Sequence, residues 1–297
     1  MTGKPEACAE KAKKSMTMPT PTWPELTCSG TTHLTIETIL QGEGWDKGWR
    51  TIKEMAGNFR SINERSFGVP EQVNSGQVGV GIVIDFFAFS AQASGFPVKF
   101  VYPSVTTVVP ANVGIIANPP NKAAAEAFIE FLLSPTGQEV LLEPGIRRLP
   151  VNPAVYAKAG ADYPNPFTDP RFQKMIGFDV DKSEARTAVV DTLFDQLISF
   201  QLDALKGVTK TLHEVDAALA KKPNAQAKAL ADEARNLIAA LPVTEAQAAS
   251  PELRGAFTGG KEKGARQAEV EAQWASFARD NYAKAKAKAE EALKAAK

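Results

Sequence analysis

The feature that most constrains this fold is a change of hydrophobic period within a short length of chain. The run "GQVGVGIVIDFFAF", Gly76 to Phe89, is rich in Val and Ile and punctuated by glycine, which reads as a buried strand. Helical spacing stands on both sides of it. Upstream, Leu34, Ile36, Ile39 and Leu40 share one face of a helix that starts near Thr32 and stops at Gly42 and Gly44. Asp46–Asn58 repeats the theme through Trp49, Ile52 and Met55. Downstream, short strands are expected around Lys99–Tyr102 and Val113–Ala117. A helix follows with Ala125, Phe128, Ile129 and Leu132 on one face, and Ser134-Pro135 starts a new turn as N-cap and N1. Helices alternating with strands make this part α/β.

Past "RRLPVNPAVY" the strand signals cease. Asp181 to about Lys206 is helical through Val190, Leu193, Phe194, Leu197, Ile198 and Leu205, and Lys222–Leu241 continues through Ala227, Leu230, Ala234 and Leu237. The end of the chain, "AKAKAKAEEALKAAK", is rich in helix formers and poor in large apolar groups, and reads as a solvated or frayed helix. At the other end, residues 1–28 are polar and broken by proline, and read as an irregular lead-in without an apolar segment of secretory-signal type.

Lys plus Arg and Asp plus Glu both number 34 in 297 residues, so bulk charge makes no case for nucleic acid or a membrane surface. Cys8 and Cys28 are too few for a disulfide scaffold or a zinc site; one bridge or two free thiols is the reading. His33 and His213 are far apart, with no Ser-His-Asp or metal-ligand pattern in the sequence around either, and His213 reads as a surface residue. The clustered glycines at Gly76–Gly81 match neither the dinucleotide fingerprint nor a phosphate loop. A non-enzyme without cofactor is expected.

Binding has better candidates. Ser29-Gly30-Thr31-Thr32 offers hydroxyls, the unpaired first amides of a helix and a glycine open to close approach, at the positive end of the helix dipole. The same residues serve equally well as an ordinary N-cap. Arg65 and Ser66 lie in a loop after the second helix, and the guanidinium suits a carboxylate or phosphate. Asp85 ends the buried strand, where it calls for a cationic ligand group or Arg65 as partner, or else caps a helix just past the strand.

"TWPEL", "SGTTHLTIETIL…GWDKGW", "ERSFGVPEQVNSGQVGVGIVID", "FVYPSVTTVVPANVGIIANPPNKAAAEAFIEFLLSPTGQEVL" and "RRLPVNPAVYA" occur in that order. Together they resemble the extracellular solute-binding proteins of bacterial ABC transporters, family 1, in the branch of iron(III)-type and phosphoglycerate- or phosphonate-type binders. The resemblance covers about Trp23 to Tyr156 and continues weakly to Phe200. It implies a type II Venus-flytrap architecture: α/β lobes, a hinge and a ligand in the cleft. Ser29, Gly30, Thr31 and Thr32 would then grip the ligand, with Arg65, Ser66 and Asp85 as further cleft positions. Iron(III) binders of this family carry adjacent tyrosines at about the place of Phe86-Phe87. Phenylalanine cannot ligate iron, so a phosphorylated or carboxylated metabolite is implied instead.

The family has several βα units ahead of "TWPEL", where this chain has residues 1–22. The expectation is therefore an incomplete periplasmic-binding-protein-like fold with an all-α C-terminal extension. Its divisions would be 1–28 as lead-in, 29–108 as the ligand-gripping α/β lobe, 109–180 as the return through the hinge into a partial first lobe, and 181–297 as the helical region. The implied function is to bind a small anionic solute in the periplasm and deliver it to the membrane permease subunits of an ABC importer, with no nucleic-acid partner. Two other readings stand beside it: a sensory protein presenting its bound form to a sensor kinase, and a helical scaffold built on Asp181–Lys297 with no small ligand.

Overall fold

The computed structural model describes residues 21–24, 30–63, 68–173, 175–257 and 263–297. The chain divides into two units, one formed by Met1–Ile82 together with Asp179–Lys297, the other by Val83–Phe178. The segment 29–108, grouped above as one lobe, is thus divided at Ile82, and its first part shares a core with the C-terminal helices.

In the first unit, strand β1 (Pro21–Pro24) lies between β2 (Ser61–Asn63) and β3 (Val80–Gly81) in a parallel sheet of order β2-β1-β3. Part of the expected irregular lead-in is therefore the central strand. Its prolines stand at the two ends, so Thr22 and Trp23 keep their N–H groups for the ladder. Helices α1 (Gly30–Glu43) and α2 (Trp45–Ala56) follow the predicted spacing closely, with Gly44 at φ 84° between them, and α3 (Gly68–Asn74) precedes β3. A Cβ on Gly81 would sit 2.4 Å from Val69 Cγ1 of α3, so that helix packs directly on strand backbone.

The C-terminal part contributes α7 (Val180–Leu197), α8 (Leu202–Lys221), α9 (Ala225–Ala239), the short α10 (Glu245–Ala248) and α11 (Pro251–Gly255), and the long α12 (Lys263–Ala296). Ile36, Leu40, Trp49 and Ile52 of α1 and α2 are buried in one cluster with Leu193, Phe194, Leu205, Val208 and Tyr282. The reading of the terminal helix as frayed is overturned: Ala285, Ala289 and Ala292 are buried in this core. They recur at intervals of four and three, as do Ala227, Ala231 and Ala234 of α9, which packs along α12. Methyl-sized stripes bring two helix backbones close together, so burial here needs no large side chain. Asn224 Nδ2 donates to Ala295 O at 2.8 Å and Lys288 pairs with Glu233, which makes the two helices antiparallel.

The second unit contains α4 (Asp85–Ala93), α5 (Lys122–Leu133), capped by Asn121, and α6 (Pro135–Glu139), capped by Ser134 as the sequence indicates. The expected strands at Lys99–Tyr102 and Val113–Ala117 are absent: both runs lack ladder pairing, and Ile116 is 73% exposed. An extended segment becomes a strand only beside a partner, and among the described residues none lies against either run. The predicted "GQVGVGIVID" strand shrinks for the same reason to Val80–Gly81, paired only over the reach of β1. The apolar face of α5 forms as spaced but is only partly covered: Ala125, Ile129 and Leu132 are half-buried and Phe128 is 58% exposed. No described helix is long and apolar enough to cross a membrane.

Candidate functional site

Helix α1 begins at Gly30, which is exposed and has open space where a Cβ would stand. Thr31 is half-buried and its carbonyl accepts the Thr35 hydroxyl at 2.9 Å, while Thr32 is fully buried. The helix start thus presents backbone at Gly30 and Thr31 and turns the Thr32 side chain into the protein. Ser29, Arg65 and Ser66, and also Cys8 and Cys28, lie outside the described residues. Asp85 belongs to the other unit, where it opens α4.

What holds the start of α1 in place is a polar ladder to α7. His33, Glu37 and Gln41, at intervals of four, form a stripe of α1 directly beside the core-facing Ile36 and Leu40. His33 Nδ1 lies 2.8 Å from Asp191 Oδ1, and Nε2 lies 3.1 Å from the Ser183 hydroxyl. Glu37 accepts two bonds of 2.8 Å from Arg186, a fork-on-carboxylate pair with both side chains buried. Gln41 exchanges two bonds with the backbone of Asp179, the N-cap of α7. Arg186 also reaches Glu245 at 2.8 Å and lies over the Trp45 ring at 5.2 Å. Burial pulls the guanidinium pKa down, but the hydrogen bonds it donates to its two carboxylate partners, and their charge, outweigh that and raise it. Glu245 is held below the usual carboxylate range, mainly by its bond from Lys182.

The absence of a Ser-His-Asp pattern around His33 does not survive folding. Asp191, His33 and Ser183 line up in the order of an acid–base relay across about 150 residues of chain. Ser183 sits in the first turn of α7 at 5% exposure, so the line ties two helices together and presents no open nucleophile. None of these partners was picked out from sequence. The signal was spacing by multiples of four on both helices, Asp179, Ser183 and Asp191 against Gln41 and His33, with Arg186 reaching Glu37 from beside that stripe. His213 is half-buried and bonds Asn58 Oδ1 at 2.8 Å.

In the second unit, Asp85 Oδ1 accepts the Phe86 N–H and Oδ2 accepts the Tyr102 hydroxyl, each at 2.8 Å. Asp85 is the first residue of α4 and not its N-cap, which is Ile84, and its described side-chain partner is Tyr102. The Tyr102 ring packs edge-on against Phe89, Phe100 and Phe172. Burial first, then the Asp85 carboxylate, raises its phenol pKa. Among the described residues no group of three or more His, Cys, Asp or Glu is placed to hold a metal ion.

The sequence from residue 11 to residue 167, more than half of the chain, matches the family model of bacterial extracellular solute-binding proteins, and the chain belongs to that family. Among curated proteins it is similar to the phosphoglycerate transport regulatory protein PgtC of Salmonella typhimurium and of Salmonella typhi, at 34% identity over 202 residues in each case. That alignment takes in 68% of this chain and 49% of the relative, so the chain spans about half the length of the curated relatives it matches. No solved structure matches.

Proposed function

We propose that this protein binds a small anionic metabolite, phosphorylated or carboxylated, in the periplasm and passes it to the membrane permease of an ABC importer without covalent chemistry. The observation that carries this reading is the 34% identity, over two thirds of the chain, to a protein named for phosphoglycerate transport. The start of α1 supports it: the exposed Gly30, at the positive end of a 14-residue helix, favours an oxyanion. In this reading backbone amides rather than the buried Thr32 hydroxyl face the ligand, and the ladder to α7 keeps them aligned. The permease recognises the ligand-loaded form.

A second reading is favoured by one word in the name of the relative, "regulatory". There the bound form is presented to a sensor kinase rather than to a permease. Isothermal titration with 3-phosphoglycerate, inorganic phosphate and iron(III) tests the ligand class. Heat from the anions supports it, and binding of iron(III) alone refutes it. Capture of the loaded protein by detergent-solubilised permease supports the importer reading, and capture only by a sensor ectodomain supports the second.

A further inference from the structure

The segment after α6 places two consecutive arginines against one face of α4. Arg147 has φ 44°, in the left-handed region that side chains other than glycine and asparagine seldom adopt. Normal extended backbone would send successive side chains to opposite faces, and this residue breaks the alternation. The Arg147 guanidinium lies over Phe89 at 5.7 Å and over Tyr163 at 5.2 Å, and that of Arg148 lies over Phe86 at 3.7 Å. Phe86 and Phe89 are one turn apart on α4. The backbone beneath is anchored at several points: Ser90 donates to Gly145 O at 3.1 Å, Tyr163 to Arg148 O at 2.7 Å, and Arg148 N to Leu141 O at 3.0 Å.

These two cations are poorly matched with acid. Arg147 Nη2 is 4.0 Å from Asp162, whose side chain is 88% exposed, and Arg147 Nε is buried without a hydrogen-bond partner. Arg148 is exposed and makes no ion pair among the described residues. Asp85, on the same helix as the ring partners, is occupied by Tyr102 and the Phe86 amide. Aromatic faces orient guanidinium groups and leave their N–H edges available. Two oriented guanidiniums with donors to spare match the several acceptor oxygens of a phosphoryl group.

We infer that Arg147 and Arg148 form an oxyanion subsite of the second unit, taking the phosphoryl or carboxylate group of the ligand. This rests on the proposal that the ligand is anionic, and it assigns the countercharge to residues other than Arg65. The test is calorimetric titration of the full chain with inorganic phosphate and 3-phosphoglycerate at low salt. R148Q is the main variant because that side chain is exposed and its loss leaves the fold intact. R147K retains charge but loses the fork, and K122Q is a control for general electrostatics. The expected result is an affinity about tenfold lower in R148Q, a smaller loss in R147K and no change in K122Q. Equal affinity in R148Q and wild type, or equal losses in R148Q and K122Q, overturns the subsite while leaving the proposed function standing. Absence of binding to either anion by the wild type overturns both.

Discussion

Replacing Arg186 by methionine tests the polar ladder that fixes α1. The guanidinium gives two bonds of 2.8 Å to Glu37 and one of 2.8 Å to Glu245, and both Arg186 and Glu37 are buried. In R186M, Glu245 keeps Lys182 and a partly exposed position, so its cost is small. Among the described residues Glu37 then keeps the amide of Gln41, at 3.1 Å, for a charge that is fully buried. An uncompensated buried carboxylate costs about 3–5 kcal/mol, and that is the expected loss in urea denaturation of R186M. The companion E37L/R186M removes both charges together and should recover most of the loss, because well-packed apolar replacements of buried pairs are often near neutral. A loss below about 1 kcal/mol in R186M, or a double variant as unstable as the single, refutes the buried-pair account.

Lys53 supplies a pH-dependent prediction. Its ammonium donates to the carbonyls of Ile238 and Ala240 at the end of α9, and burial lowers its pKa from 10.5 to about 7. Between those values the unfolded chain holds a proton that the folded chain does not, so Lys53 makes stability rise with pH from about 7 to about 10.5, and its penalty is greatest below 7. The stability of wild type relative to K53M, measured in urea at pH 6.5, 7.5 and 8.5, should rise by up to about 1.4 kcal/mol per pH unit above 7; a flat difference refutes this. On α12, A285L forces extra volume into the contact with α9 and should cost about 1–3 kcal/mol in the same assay, whereas a solvated helix would tolerate it unchanged.

The ends of α1 and α2 were legible because they depend on local chemistry: apolar residues at helical spacing, with glycine after them. The cap at Ser134 was legible for the same reason. Strands at Lys99–Tyr102 and Val113–Ala117 were not, since β spacing in a sequence states a preference and pairing needs a neighbour. The alanine stripe of α12 was misread because weak local hydrophobicity says nothing about how closely a facing helix can approach. At the candidate site, the helix starts at Gly30 within the quoted motif, and Asp85 is the first residue of a helix whose N-cap is Ile84, not the cap that its sequence offered. The pairing of His33, Glu37 and Gln41 with α7 was not legible because their partners lie about 140 to 160 residues away. Arg147 and Arg148 escaped it because their alignment depends on a single backbone angle.

Thermal unfolding with and without 3-phosphoglycerate tests the central claim most directly. A ligand bound only by the folded state stabilises it by about 2.7 kcal/mol at a hundredfold excess over Kd, which is a rise of roughly 5 °C in Tm for a chain of this size. The account predicts a concentration-dependent rise of that order with 3-phosphoglycerate and none with iron(III). An unchanged Tm at millimolar phosphoglycerate, or a rise with iron(III) alone, contradicts it.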